Sequence, residues 1–129
     1  MKTCVLGLLM LFLPTMTAFA QSLSLDTAVI GTNIENREAV GVNTVFPADI
    51  EKLYCLTVVS GATTETMITH VWYWKDQEMA RIVLPVKSIN WRTFSSKTII
   101  PRWVGDWHVA VVHGESVIQN ISFKIEPPQ

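Results

Sequence analysis
The sequence predicts an all-β sandwich, and three observations predict it. Beyond the first 20 residues, no stretch repeats apolar residues at the i, i+3, i+4 and i+7 spacing of an amphipathic helix. Short runs rich in Val, Ile, Thr, Trp and Tyr recur instead, about 10 to 15 positions apart, with turn residues between them. Within the clearest runs apolar and polar residues alternate, as they do when successive side chains point to opposite faces of a sheet.

The first 20 residues, MKTCVLGLLMLFLPTMTAFA, stand apart from this domain. Lys2 precedes an apolar run from Cys4 to Leu13, and Ala18-Phe19-Ala20 is the small-x-small pattern that a signal peptidase accepts. Residues 1–20 therefore read as a cleavable signal peptide, with cleavage before Gln21. The run falls short of the roughly 20 apolar residues that a membrane span needs. A retained anchor is the alternative. The expected destination is the periplasm or the exterior, with no membrane span in the mature chain.

Residues 21–129 are then a single domain. Loss of Lys2 with the leader leaves nine of the ten basic residues against eleven acidic ones. That near balance gives no electrostatic reason to expect nucleic acid or an anionic membrane as partner. Cys4 leaves too, so Cys55 has no partner for an intrachain disulfide. Its neighbours Tyr54 and Leu56 mark it as a buried structural thiol.

Along the domain, SLSLDT (22–27) is a short polar lead, and AVIGTNI (28–34) is the first run with strand character. EKLYCLTVVS (51–60) is a denser run closed by Ser60-Gly61. TMITHVWYWK (66–75) and MARIVLPVK (79–87) flank a polar Asp76-Gln77-Glu78 turn and form a hairpin. WRTFSSKTII (91–100) ends at Pro101. DWHVAVVH (106–113) and SVIQNISFKIE (116–126) form a second hairpin across Gly114. The count is about seven antiparallel strands, the number an immunoglobulin-like sandwich uses, without the paired cysteines of antibody domains.

Alternation assigns the faces. Trp107, Val109 and Val111 form the better core face of their strand. His70, Trp72 and Trp74 share one side of theirs, but large groups occupy both sides and leave its orientation open. Residues 91–97 break the pattern: Trp91, Thr93, Ser95 and Lys97 share one side, Arg92, Phe94 and Ser96 the other. Neither is a clean core face, which implies an edge strand, a bulge or a polar pocket.

The chemistry these residues can support is limited. Ser95, Ser96 and Lys97 lack the Ser-x-x-Lys spacing that places both side chains on one helical face. A serine–histidine–acid set could draw on Ser95 or Ser96, His70 and Asp106, but no Gly-x-Ser-x-Gly elbow surrounds either serine. His70, His108 and His113 show no zinc-binding spacing. No metal, cofactor or catalytic centre is expected, and a small serine hydrolase is the second alternative reading. Five tryptophans are many for this length. Exposed rings beside Arg and hydroxyls can stack on sugars or anchor a protein partner.

HVWYW (70–74), WRTFSSK (91–97) and GDWHVAV (105–111), in that order, resemble the signature segments of domain-of-unknown-function family 2914, a bacterial family. NREAV (36–40) resembles a further segment, with Ala39 where proline is common. The likeness runs over roughly residues 27–126. It implies a secreted or envelope-associated β-domain with no established activity. The expectation is a non-catalytic binding or interaction module of the cell envelope, its partner a protein or glycan. His70, Trp91, Arg92, Ser95, Ser96, Lys97 and Trp103 are the candidate ligand-binding residues. A carbohydrate-binding module for envelope glycan, stacking sugars on Trp91 and Trp103, is the first alternative.

Overall fold
The computed structural model describes residues 7–14 and 22–128. The expected cleavage site, at Ala18 to Gln21, lies outside the described residues. Residues 7–14 carry no regular structure; Leu9 and Phe12 are exposed and take no part in the core.

Every regular element among the described residues is a strand: β1 (Ser24–Gly31), β2 (Asn33–Glu35), β3 (Glu38–Val40), β4 (Val45–Pro47), β5 (Lys52–Ser60), β6 (Thr66–Trp74), β7 (Gln77–Val86), β8 (Asn90–Thr98), β9 (Gly105–His113) and β10 (Ser116–Glu126). Sheet order is β1-β5-β8 in one layer and β4-β10-β9-β6-β7 in the other, with β2-β3 as a separate hairpin. The long strands β1 and β5 to β10 are the seven expected, and all pair antiparallel; short β4 joins β10 in parallel. The fold is therefore the all-β sandwich that the spacing of β-prone runs predicts.

Two details differ from that expectation. β1 begins at Ser24, inside the supposed polar lead, because Leu23 and Leu25 alternate with serines and pack against the core. The chain beyond β1 then folds back as β2-β3, a hairpin whose turn residues Asn36 and Arg37 have φ of 50° and 65°. Positive φ at both positions is what a two-residue hairpin turn of the primed type requires. This hairpin lies against the outer face of the β1-β5-β8 sheet and helps keep Leu56 and Val58 from solvent. Gly31 permits the approach: a Cβ there would stand 2.6 Å from the Val40 carbonyl oxygen. Gly31→Ala is expected to cost about 2 kcal/mol, as overpacking does. A urea midpoint unchanged from wild type would show that the hairpin can simply move away.

The two sheets face each other across a core in two apolar parts. Trp72, Trp107, Phe46, Phe123, Leu53, Cys55 and Val109 belong to the larger. Val59, Ile68, Val86, Val111 and Ala62 form the smaller, with half-buried Trp91 against it. Cys55 is fully buried, and burial pushes its thiol pKa up. Along β5, β6 and β8 the inward residues between the two parts are polar: Thr57, His70, and Thr93 with Ser95. A polar layer thus divides the sandwich interior.

Candidate functional site
His70 lies near the middle of β6, paired with Val111 of β9 and Ile82 of β7, and its ring points between the sheets. Cys55 and Ser95 are register partners on β5 and β8, so Ser95 faces the same space from the opposite sheet. The two residues meet. His70 Nδ1 is 2.6 Å from Ser95 Oγ, and His70 Nε2 is 3.1 Å from Thr57 Oγ1. Trp72 Nε1–H donates to Ser95 Oγ at 3.1 Å, and Thr57 Oγ1–H donates to the Thr93 carbonyl at 3.4 Å.

One assignment of protons lets every donor find an acceptor. Trp72 donates to Ser95, Ser95 to Nδ1, Nε2–H to Thr57, and Thr57 to the Thr93 carbonyl. His70 is then neutral. Burial drives its pKa down from 6.5 to about 4, since an imidazolium here would lose its hydration. No buried side-chain nitrogen or oxygen among the described residues lacks a partner.

Serine and histidine are thus at catalytic distance, but without the rest of a catalytic centre. His70 is 0% exposed and Ser95 5%. The far nitrogen of His70 meets Thr57 rather than a carboxylate, and Ser95 Oγ already accepts the Trp72 N–H. Neither residue lines the two surface concavities of the sandwich.

The other candidate residues do not join them. Trp91 packs beside the smaller core at one end of β8. Lys97 lies at the other end, its Nζ 4.8 Å from the Trp103 ring centroid, and partial burial lowers its pKa. Trp103 is half-buried, also faces Arg102, and gives its carbonyl to Trp107 Nε1 at 2.9 Å. Arg92 and Ser96 are on the outer face of the sheet. There Arg92 donates to the Glu38 carboxylate and the Arg37 carbonyl, each at 2.7 Å, pinning the β2-β3 hairpin to β8. Five of the seven residues therefore lie on the two faces of β8, His70 on β6 and Trp103 in the crossing to β9, and they do not converge in one concavity.

Two surface concavities are worth describing. One, of about 540 Å³, is lined by Lys75, Asp76, Asp106, His108 and Ser122 on the outer face of the five-stranded sheet. Beside it the Tyr73 and His108 rings stack at 4.6 Å. The signal for it was present in the sequence, since alternation places Tyr73 and His108 opposite the core residues Trp72 and Trp107. The other, of about 370 Å³, runs between the β2-β3 turn and β8, along Arg37, Glu38, Asn90 and Arg92. No group of three or more His, Cys, Asp or Glu among the described residues is placed to hold a metal ion.

The remaining feature of β8 is its backbone. Gly61 N–H bonds the Ile89 carbonyl at 2.9 Å, and Ile99 N–H bonds the Glu51 carbonyl at 2.8 Å. Bonded and non-bonded pairs alternate along an antiparallel ladder. Odd-numbered residues of β8 therefore bond β5, and Asn90, Arg92, Phe94, Ser96 and Thr98 turn their N–H and C=O outward. No strand pairs with that side. The other edges are handled differently. The segment after β1 folds back along it, with Asn43 N–H on the Ile30 carbonyl; β4 is three residues long; β7 carries Pro85, which has no N–H to offer.

Comparison with solved structures gives the same architecture. An immunoglobulin-like protein from Pseudomonas aeruginosa is similar at 18% identity and a TM-score of 0.55, over 83% of this chain and 99% of that one. An alkylpurine DNA glycosylase from Pseudomonas fluorescens, bound to DNA with an abasic-site analogue, is similar at 10% identity and a TM-score of 0.53. That likeness covers 83% of this chain but 31% of the glycosylase. At such identities the likeness is one of fold. No curated protein matches the sequence. The family model described as "Protein of unknown function (DUF2914)" matches residues 65–125, which hold the segments around His70, Arg92 and Trp107, while NREAV at 36–40 falls outside the match. The match takes in just under half of the chain, and it is over this stretch that the immunoglobulin-like sandwich is similar to the DUF2914 family.

Proposed function
We propose that the protein is a non-catalytic, exported interaction domain of the bacterial cell envelope, and that it receives its partner along the open edge of β8. The observation that carries this reading is the row of outward backbone N–H and C=O groups from Asn90 to Thr98, which no strand of the domain pairs. Such a row is a template for an added strand. The signature segment WRTFSSK occupies this strand, so its alternating faces supply a core contact on one side and an accessible surface on the other. Phe94 is 48% exposed at its centre.

Burial of His70 and Ser95 supports a non-catalytic reading over a serine hydrolase, because no substrate carbonyl could reach Ser95 without parting the sheets. Carbohydrate binding is less favoured than strand addition. Trp91 and Trp103 are half-buried at opposite ends of β8, and two cations already lie over Trp103. The leader-like residues 1–20 support export.

Replacing Phe94 with a photoreactive benzoylphenylalanine in the producing cell is expected to yield cross-linked adducts in the envelope fraction. Ser96→Pro deletes one outward N–H without touching the bonds to β5, and is expected to abolish them at a stability cost below about 1 kcal/mol. Identical adducts in both backgrounds would sink the edge reading. N-terminal sequencing of the exported protein should begin at Gln21; recovery only from the cytosol with Met1 intact would refute export.

A further inference from the structure
We propose that the partner of the β8 edge is an extended acidic polypeptide segment, with carboxylate and apolar side chains in alternation. This inference rests on the edge reading above and adds the chemistry of the occupant. From Met79 to Gly105 the chain carries Arg81, Lys87, Arg92, Lys97 and Arg102, and no Asp or Glu at all. Half of the chain's ten basic residues fall in this one segment, while its eleven acidic residues all lie outside it.

The fold turns this bias into a surface. β7 and β8 are the terminal strands of the two sheets and adjoin on the same side of the sandwich. Lys87 lies just before β8, Arg92 along it, Lys97 near its end and Arg102 beyond. Arg81 pairs with Glu78 and Arg92 with Glu38, whereas Lys87, Lys97 and Arg102 form no ion pair among the described residues. The unpaired cations lie before β8, near its end and beyond it, so an added strand would meet a positive field toward both of its ends.

The two faces of β8 specify the alternation. A strand placed beside it would turn every second side chain toward the mouth between the sheets, where Trp91, Ile82 and Leu84 are half-buried and apolar. Its intervening side chains would lie beside Arg92 and Arg37. A second copy of the chain fits poorly, because two basic edges would repel. An anionic glycan could satisfy the charges but would leave the backbone groups unused.

The test titrates the whole domain with a short peptide carrying Glu at alternate positions with Val or Thr between them, with the matching Lys peptide, and with dextran sulfate. The Glu peptide is expected to bind at least about tenfold more tightly than the Lys peptide, weakening with salt. It should slow amide exchange at Arg92, Phe94 and Ser96, and Ser96→Pro should abolish its binding. Lys87→Gln with Lys97→Gln should weaken it several-fold, through loss of the surrounding positive field rather than of direct ion pairs. Equal binding of the Glu and Lys peptides, both lost in Ser96→Pro, would overturn the acidic partner and leave the edge standing. Glu-peptide binding that survives Ser96→Pro would overturn the edge and this inference with it. Binding of dextran sulfate alone would replace the peptide with a polyanionic glycan, and no binding of either peptide would refute the proposal.

Discussion

Acidification from pH 7 to pH 4 is expected to remove about 3 kcal/mol of folding stability through His70 alone. The imidazole titrates at 6.5 when unfolded and at about 4 in the core. Between those values the unfolded chain takes up a proton that the folded chain refuses. The contribution is therefore complete above pH 6.5, falls as pH drops toward 4, and is flat below that. At about 1.4 kcal/mol per pH unit across this interval, the loss is about 3 kcal/mol. Protonation would also break the donor chain, since an Nδ1–H pointing at Ser95 Oγ leaves the serine proton without an acceptor. His70→Gln keeps a donor and an acceptor but cannot titrate. It should lower stability at pH 7 by about 1 to 3 kcal/mol, yet flatten the pH dependence between 6.5 and 4. Urea midpoints followed by tryptophan fluorescence across that range check both points. Parallel pH profiles for variant and wild type would show that His70 is not the group responsible.

The same histidine shows how far a sequence can be read. Period-two runs and turn residues made the strands legible, because a strand buried on one face must alternate. Trp107, Val109 and Val111 declared the core face of β9 for that reason. Nothing local distinguishes His70 on the surface from His70 in the interior, since what makes burial tolerable is a hydroxyl from each of two other strands. Thr57 is 13 residues away and Ser95 is 25. The odd composition of WRTFSSK now has a physical cause. Its inward side supplies one wall of a polar layer and its outward side holds a hairpin through Arg92, so neither could be uniformly apolar. The β2-β3 hairpin was harder to foresee, being three residues a side and dependent on the gap left at Gly31. The basic run from Arg81 to Arg102 can be counted in the sequence, but the near balance of total charge hides it. Its meaning cannot be read there, because that requires knowing that β7 and β8 are both edges on one side.

Trp107→Ala is expected to be the most damaging single substitution at the aromatic end of the core, at about 3 to 5 kcal/mol. The indole is 2% exposed, stacks on Phe123 with centroids 5.8 Å apart, and meets Trp74 and Trp103 at 6.5 and 6.1 Å. Its removal leaves a cavity that the two sheets cannot close, because β9 is held between β6 and β10. It also takes the N–H from the Trp103 carbonyl, loosening the crossing from β8 to β9 that carries the Lys97–Trp103 contact. Trp103→Ala provides the comparison. Its ring is half-buried and its hydrogen bond to Trp107 uses the backbone, which alanine retains, so about 1 to 2 kcal/mol is the expected loss. Denaturant midpoints for the two variants should therefore differ clearly, with Trp107→Ala the weaker. Equal losses would mean that Trp103 is as much a core residue as Trp107. That result would remove it from consideration as a sugar-stacking surface.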